Sequence, residues 1–319
     1  MGIFELIRRL LGLPSTGAAG GIEPLPAGTV EKHDAAQLAL RLGIPLARLQ
    51  AVDRSYREFN IPKRSGGVRP IAAPNPALMA IQRAINRRLL ARLPVHPCAT
   101  GFRRGYSIVT NAAPHAGRAV VLRMDIRDFF GATRAERVHR YFRVIGWSEE
   151  AAGLITALCT RNGALPQGAP TSPTLSNLVN FRLDARLAGM AQGVSAARGG
   201  AADICYSRYA DDLTFSFGVD DHSAVEMVIW LSKRILSDLG YRLHHKRKLT
   251  IRRRHQRQTI TGLVVNDGVG LARGTRRWLR AVRHHLATDR EASLTPAQLA
   301  GWEALEQMVR LQSPAGGAE

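Results

Sequence analysis

Three aspartates stand where they could hold a pair of divalent metal ions. Asp211 and Asp212 are adjacent in Tyr209-Ala210-Asp211-Asp212, between two apolar runs that read as the arms of a hairpin from Ile204 to Phe217. Adjacent acids are most often a solvated turn, because Asp is a favoured turn residue. A third carboxylate changes the reading: Asp125 ends the buried-type strand Val120-Val121-Leu122-Arg123-Met124 and leads into Ile126-Arg127-Asp128-Phe129-Phe130. Carboxylates on separate rigid strands can bridge two metals about 3.5–4 Å apart, one activating an attacking hydroxyl and one holding a leaving pyrophosphate. Mg²⁺ needs only one or two protein carboxylates beside phosphate and water oxygens, so His and Cys are unnecessary. Two Mg²⁺ ions on Asp125, Asp211 and Asp212 are expected, with Mn²⁺ able to substitute.

Several elements must position these residues. Tyr56 to Pro74 alternates around Gly66-Gly67 as a two-stranded hairpin would, with Lys63 and Arg69 near its tip. Such a hairpin could close over a triphosphate, the bases neutralising phosphate charge. Helical spacing is read over Glu31 to Leu42, with Thr29 as N-cap and Gly43 and Pro45 as the stop, and over Ala77 to Leu93 and Arg134 to Ile145. Val225 to Leu239 is a further helix, ended by Gly240. Thr171-Ser172-Pro173 followed by Leu175, Leu178 and Phe181 reads as a capped helix. Thr259 to Val265 is a short strand. Arg276 to Leu286 turns Trp278, Leu279, Val282 and Leu286 inward and Arg277, Arg280 and Arg283 outward. Met1 to Leu13 reads as an amphipathic docking helix, Pro14 to Gly28 as a linker and Ser313 to Glu319 as a frayed tail. No internal repeat appears.

Composition narrows the partner. The 319 residues carry 45 Lys and Arg against 25 acids, a formal charge of +20, which points to a polyanion and first to nucleic acid. No acid stands between Asp238 and Asp267, while Arg242, Lys246, Arg247, Lys248, Arg252, Arg253, Arg254 and Arg257 crowd there. Cys98, Cys159 and Cys205 are scattered, so neither a disulfide framework nor a zinc site is indicated, and a cytoplasmic location is expected. No apolar run approaches the roughly 18 residues that span a bilayer, and no membrane partner is expected. His244, His245, His284 and His285 lack ligand spacing and read as basic surface.

Over roughly Tyr56 to Val265 the chain resembles the bacterial retron-type reverse transcriptases. Ile61-Pro62-Lys63-Arg64-Ser65-Gly66-Gly67-Val68-Arg69-Pro70-Ile71 resembles their fingers hairpin, and Asp125-Ile126-Arg127-Asp128-Phe129-Phe130 their first metal strand. Leu165-Pro166-Gln167-Gly168-Ala169-Pro170-Thr171-Ser172-Pro173 resembles the nucleotide-pocket block, and Tyr209-Ala210-Asp211-Asp212 the metal hairpin. Asn111-Ala112-Ala113-Pro114-His115 matches their Asn-Ala-x-x-His insert, and Ile260-Thr261-Gly262 resembles their Val-Thr-Gly triplet with Ile for Val.

The resemblance implies an α+β right-hand polymerase fold with fingers, a palm whose antiparallel sheet carries the catalytic Asp125, Asp211 and Asp212, and a short helical thumb. The expected division is 1–28 N-terminal helix and linker, 29–119 mainly fingers, 120–265 mainly palm, and 266–319 thumb and tail. Lys63, Arg69, Gln167 and Phe130 are the implied nucleotide-binding residues, Phe130 excluding a ribose 2′-hydroxyl, although sequence does not separate it from Phe129. Asn111, His115, Thr261, Gly262, Arg277, Arg280 and Arg283 are the expected RNA contacts.

The implied function is RNA-directed DNA synthesis from deoxynucleoside triphosphates, copying a cognate structured non-coding RNA into single-stranded DNA. Priming from an RNA 2′-hydroxyl, a branched RNA–DNA product and a phage-defence unit with a separate effector protein are further implications. A group II intron-like or other defence-associated reverse transcriptase is the alternative, but the 54 residues from 266 to 319 are short for the thumb and accessory segments of the former. A non-catalytic RNA-binding protein on a polymerase-like scaffold would be favoured by loss of an acid, and all three are present with Gln167.

Overall fold

The computed structural model describes residues 33–63, 66–200, 202–244, 249–288 and 290–313. The expected helix Met1–Leu13, the linker, Thr29, Arg64, Ser65, His245, Lys246, Arg247, Lys248 and the last six residues lie outside that range.

Local chemistry sets the element ends. Asp34 begins α1 (Ala35–Leu42) by accepting from the Gln37 amide at 2.8 Å, and Gly43 closes it at φ 61°. Pro45 is more than a stop, for it is the N-cap of α2 (Leu46–Ala51). β1 (Tyr56–Pro62) and β2 (Val68–Pro74) pair antiparallel around Gly66 and Gly67, both at positive φ. Asn75 caps α3 (Pro76–Arg88), which stops short of the expected Leu93 and tightens into a 3-10 turn over Leu90–Arg92. Ser107 and Thr110 make a capping box for α4 (Ile108–Ala112), which runs into a second 3-10 turn, Ala113–His115.

After β3 (Val120–Asp125) come α5 (Phe129–Ala132), α6 (Ala135–Val144), α7 (Glu149–Cys159), α8 (Ser172–Leu178) and α9 (Phe181–Ala196). Thr171 precedes α8 but makes no capping bond. Ser172 instead donates to the Pro166 carbonyl at 2.7 Å. β4 (Ile204–Tyr209) and β5 (Asp212–Phe217) form the expected hairpin, followed by α10 (His222–Asp238) and β6 (Thr250–Arg253). The single strand expected over Thr259 to Val265 is a miniature hairpin, β7 (Thr259–Ile260) and β8 (Leu263–Val264), because Thr261 at φ 46° and Gly262 at φ 87° reverse the chain. The chain ends in α11 (Arg273–Ala287) and α12 (Pro296–Gln312).

Two interleaved units result. The first comprises Met1–Ala99, Ile126–Leu187 and Ser232–Leu243. Its core gathers Leu38, Leu78, Ile85, Phe142, Leu158 and Leu175, from α1, α3, α6, α7 and α8, with Trp147 from the turn between α6 and α7. The β1–β2 hairpin belongs to this unit, and every β1 residue after Tyr56 is exposed.

The second unit comprises Thr100–Asp125, Ala188–Leu231 and His244–Glu319. Its four-stranded sheet has the order β4-β5-β3-β6, all neighbours antiparallel. Alternation gives that sheet two unlike faces. Leu122, Met124, Leu213, Phe215 and Phe217 point one way. Arg123, Asp125, Asp212, Thr214, Ser216 and Ser207 point the other. Val109, Val121, Ile260, Leu263, Leu279, Val282 and Val309 form a core that unites the polar-face strand β3 with α4, β7, β8, α11 and α12. α11 and α12 also meet through an edge-to-face contact of Trp278 on Trp302, ring centres 5.5 Å apart. Among the described residues no helix is long and apolar enough to cross a membrane.

Candidate active site

Asp125 on β3 pairs directly with Asp212 on β5, so their carboxylates share one face at the end of the sheet. Cross-strand neighbours have Cβ atoms roughly 4.5–5.5 Å apart, a spacing that suits joint coordination of a cation. Tyr209 pairs with Asp212, leaving Ala210-Asp211 as a two-residue turn. Ala210 takes φ 56°, a conformation normally left to Gly at this kind of turn, and is buried. Gly101 lies beneath it: a Cβ on Gly101 would come within 2.7 Å of the Ala210 amide nitrogen. The turn is therefore pressed against a backbone that tolerates no side chain.

Two groups that sequence reading did not assign to the site lie beside the carboxylates. The Arg123 guanidinium sits 3.4 Å from Asp212 and donates at 3.4 Å to the Thr259 carbonyl. Arg123 stands two residues before Asp125 on an extended strand, so period-two alternation was the signal that would have found it. His244, expected as basic surface, places Nε2 3.4 Å from Asp125 Oδ1, and its backbone N–H donates to the Asp125 carbonyl at 2.9 Å. No sequence pattern links those two positions. The donor set suits a hard cation: oxygen ligands on rigid strand ends, with solvent access at Asp212, whose side chain is 31% exposed. Among the described residues no group of three or more His, Cys, Asp or Glu is gathered closely enough to hold a metal alone.

The expected nucleotide residues fall in the first unit and are tied together by backbone bonds. Lys63 and Arg69 are exposed at the distal end of the β1–β2 hairpin. At its base the Ala72 amide donates to the Gln167 carbonyl at 2.8 Å, which docks the Leu165-Pro166-Gln167-Gly168 turn on β2. Gly168, at φ 125°, permits this contact, since a Cβ there would meet Ile71 Cγ2 at 2.7 Å and the Ala72 carbonyl at 2.8 Å. The Leu165 amide in turn donates to the Thr133 carbonyl, just after α5. Within α5, Phe129 is buried and packs toward Tyr241, whereas Phe130 is only partly buried. The two rings that sequence left equivalent are thus distinguished, and Phe130 is the one with exposed surface.

The expected RNA contacts divide. Asn111 and His115 lie in the interior, with 1% and 0% exposure. Asn111 Oδ1 accepts from Thr100 Oγ1 at 2.6 Å and Ser207 Oγ at 3.0 Å. His115 places Nε2 2.8 Å from Ser207 Oγ and Nδ1 2.7 Å from Ser216 Oγ. Burial, aided by the Arg118 charge, pushes the His115 pKa down to about 3. Thr261 is half-buried and donates its hydroxyl to the Ile108 carbonyl at 2.9 Å, while Gly262 is exposed at the tip of the β7–β8 hairpin. Arg277 and Arg280 are exposed on α11, but Arg283 is engaged by Glu306 and Glu303 of α12.

Comparison with known proteins identifies the family. Residues 61–258 match the family described as reverse transcriptase (RNA-dependent DNA polymerase). Retron Mx65 reverse transcriptase of Myxococcus xanthus is 37% identical, the alignment covering 92% of this chain and 73% of the relative. Retron Mx162 reverse transcriptase of the same organism is 34% identical over 81% of this chain and 60% of its own length. Retron Ec86 reverse transcriptase of Escherichia coli is 32% identical over 85% of this chain and 82% of its own.

Proposed function

Because the chain belongs to the retron reverse transcriptases, a family of RNA-directed DNA polymerases, we propose that it copies a cognate structured RNA into single-stranded DNA by nucleotidyl transfer at Asp125, Asp211 and Asp212. The observation that carries this is the register pairing of Asp125 with Asp212 beside the strained Ala210-Asp211 turn. The four-stranded sheet is the palm, the β1–β2 hairpin belongs to the fingers, and α11 and α12 form the thumb. Two Mg²⁺ ions, when bound, supply activation of the attacking hydroxyl and charge neutralisation at the pyrophosphate, and Asp125, Asp211 and Asp212 are the residues to hold them.

The remaining roles belong to the chain's own groups. Lys63 and Arg69 neutralise triphosphate charge from an exposed hairpin whose glycine tip leaves it free to adjust. Gln167 offers its amide to the incoming sugar. Phe130, apolar and only partly buried, leaves a ribose 2′-hydroxyl unpaired and so favours deoxynucleotides. Arg277 and Arg280 contact phosphates of the RNA, and such contacts carry no sequence information themselves. Priming from an RNA 2′-hydroxyl and service in an anti-phage unit with an effector protein complete the reading, on the strength of family resemblance.

Replacing Asp211 or Asp212 by Asn tests the assignment. Each keeps the shape of the side chain and removes its charge. DNA synthesis on the cognate RNA in Mg²⁺ should fall by at least about 10³-fold, equivalent to about 4 kcal/mol of transition-state stabilisation. Affinity for the RNA, measured without nucleotide, should stay within roughly twofold. Near-normal extension by either variant would sink the assignment of the metal site.

A further inference from the structure

The Asn111–His115 turn and the β7–β8 hairpin answer to no step of the polymerase reaction, yet the fold brings them together. Thr261 Oγ1 donates to the carbonyl of Ile108, the first residue of α4, and Val109 and Ala112 of α4 share one core with Ile260 and Leu263. From that joint module two arms reach the catalytic turn. On one side Asn111 binds Thr100 and Ser207, and Thr100 in turn donates its amide to the Arg208 carbonyl at 2.9 Å. Arg208, fully buried, donates its guanidinium to the Ala210 carbonyl at 3.1 Å. On the other side Arg123 spans from the Thr259 carbonyl to the Asp212 carboxylate, 3.4 Å from each. The turn is gripped at Ala210 and at Asp212 from a single support.

We infer that Asn111, His115 and Thr261 are positioning residues for the catalytic turn, joining two separate sequence blocks into one device that holds Asp211 and Asp212, and not residues that read RNA. The inference rests on the polymerase reading above. His115 is the keystone because it bridges both strands of the metal hairpin, Ser207 on β4 and Ser216 on β5. These serines lie on the same sheet face as Asp212. Thr214, directly opposite Ser207, is two residues from it, or roughly 7 Å along the strand.

Proton counting shows what the network requires. Ser207 has one hydroxyl proton. If it goes to Asn111 Oδ1, His115 Nε2–H donates to Ser207 and Nδ1 accepts from Ser216. That sense leaves the buried Asn111 Nδ2 without an acceptor among the described residues. Turning the amide over lets Nδ2 donate to Thr100 and Ser207, so that Thr100 gives its proton to the Arg208 carbonyl 3.0 Å away and Ser207 gives its own to His115 Nε2. One unpaired carbonyl oxygen replaces two unpaired N–H groups, the better arrangement in a dry interior. In either sense a neutral imidazole with one N–H serves. A rigid network of this kind is what a left-handed Ala210 needs, since a strained turn persists only where its surroundings over-determine it. Misplacing a catalytic group by about 1 Å can cost 10²-fold in rate.

Ser207→Ala and Thr261→Val each delete one hydroxyl, the second at the rim of the module and so without risk to the sheet. For both, and for the double variant, kcat and KM for deoxynucleotide, cognate-RNA affinity and Mn²⁺ binding by paramagnetic resonance would be measured well below the melting temperature. The expected result is a fall in kcat of about tenfold or more for each single variant, with weaker Mn²⁺ binding. KM and RNA affinity should stay within about twofold. The double variant should lose little more than the worse single, as members of one device do. Unchanged kcat and Mn²⁺ binding would reduce the network to packing and overturn the inference. A loss of RNA affinity that tracks the loss of kcat would overturn it in favour of direct RNA contact. Inactivity of the wild-type protein on its RNA would instead overturn the polymerase reading and this inference with it.

Discussion

His115 has no exposed surface, and burial with the Arg118 charge pushes its pKa down to about 3, against about 6.5 for an unfolded chain. Between those values the unfolded state binds a proton that the folded state refuses. Stability is therefore intact above pH 6.5, declines as pH falls through the unfolded value, and continues to decline until about pH 3. The slope from this one group is about 1.4 kcal/mol per pH unit. Urea unfolding at pH 7 and pH 5 should show the wild type losing about 2 kcal/mol more than His115→Gln over that interval. Equal losses would mean that His115 titrates normally. In sequence His115 was an expected RNA contact and its interior partners were hidden, since nothing local marks a histidine whose partners, Ser207 and Ser216, are some 90 and 100 residues away. The three aspartates stood out in the sequence because Asp125 ends one apolar run and Asp211 and Asp212 separate two others. Phe129 and Phe130 were not separable, because adjacent rings on a four-residue helix differ only in what the rest of the fold lays over them.

Elements were legible where glycine or a side-chain cap ends them and obscure where tertiary bonds do. Gly43, Gly66 and Gly67 marked real reversals, and both large hairpins appeared with the expected arms. Thr259 to Val265 read as one strand because its β-branched run hides Thr261, a residue rarely found at positive φ, where it is held by the Ile108 carbonyl. Thr171 looked like a cap, but the turn before α8 is fixed by Ser172 on Pro166. That turn also carries Gln167, and its docking on β2 depends on Gly168. Gly168→Ala would meet both backbone strain at φ 125° and the Ala72 carbonyl, which cannot step aside. A loss of roughly 2 kcal/mol in stability is expected, together with a several-fold rise in KM for deoxynucleotide as Gln167 shifts. Gly199→Ala, at φ 64° but with open space around it, should cost only about 1 kcal/mol and leave KM alone. Equal KM effects at the two positions would refute a role for the docked turn in nucleotide binding.

At the scale of the whole molecule, the +20 charge predicts strong and salt-sensitive attraction to RNA, but the structure shows that the basic residues are not equivalent. Within the acid-free stretch, Arg253 pairs with Asp220 at 2.7 Å and Arg254 lies 3.5 Å from Asp267, carboxylates supplied from outside it. On α11 the helical period correctly turned Arg277 and Arg280 outward, yet it could not reveal that Arg283 faces Glu306 and Glu303 of the following helix. Those two carboxylates, Glu306 foremost, hold the Arg283 guanidinium above its usual pKa. A guanidinium already neutralised by its own chain releases few counterions from RNA. The Arg277→Ala, Arg280→Ala pair should therefore weaken binding of cognate and unrelated RNA alike, and lower the slope of log affinity against log salt by about 2, one unit per phosphate contact. Arg283→Ala should leave that slope unchanged and instead lower the melting temperature, because it removes the polar tie between α11 and α12 that stands beside the Trp278–Trp302 contact. A salt slope reduced by Arg283→Ala as much as by Arg280→Ala would show that RNA displaces the two glutamates and that α12 is part of the binding surface.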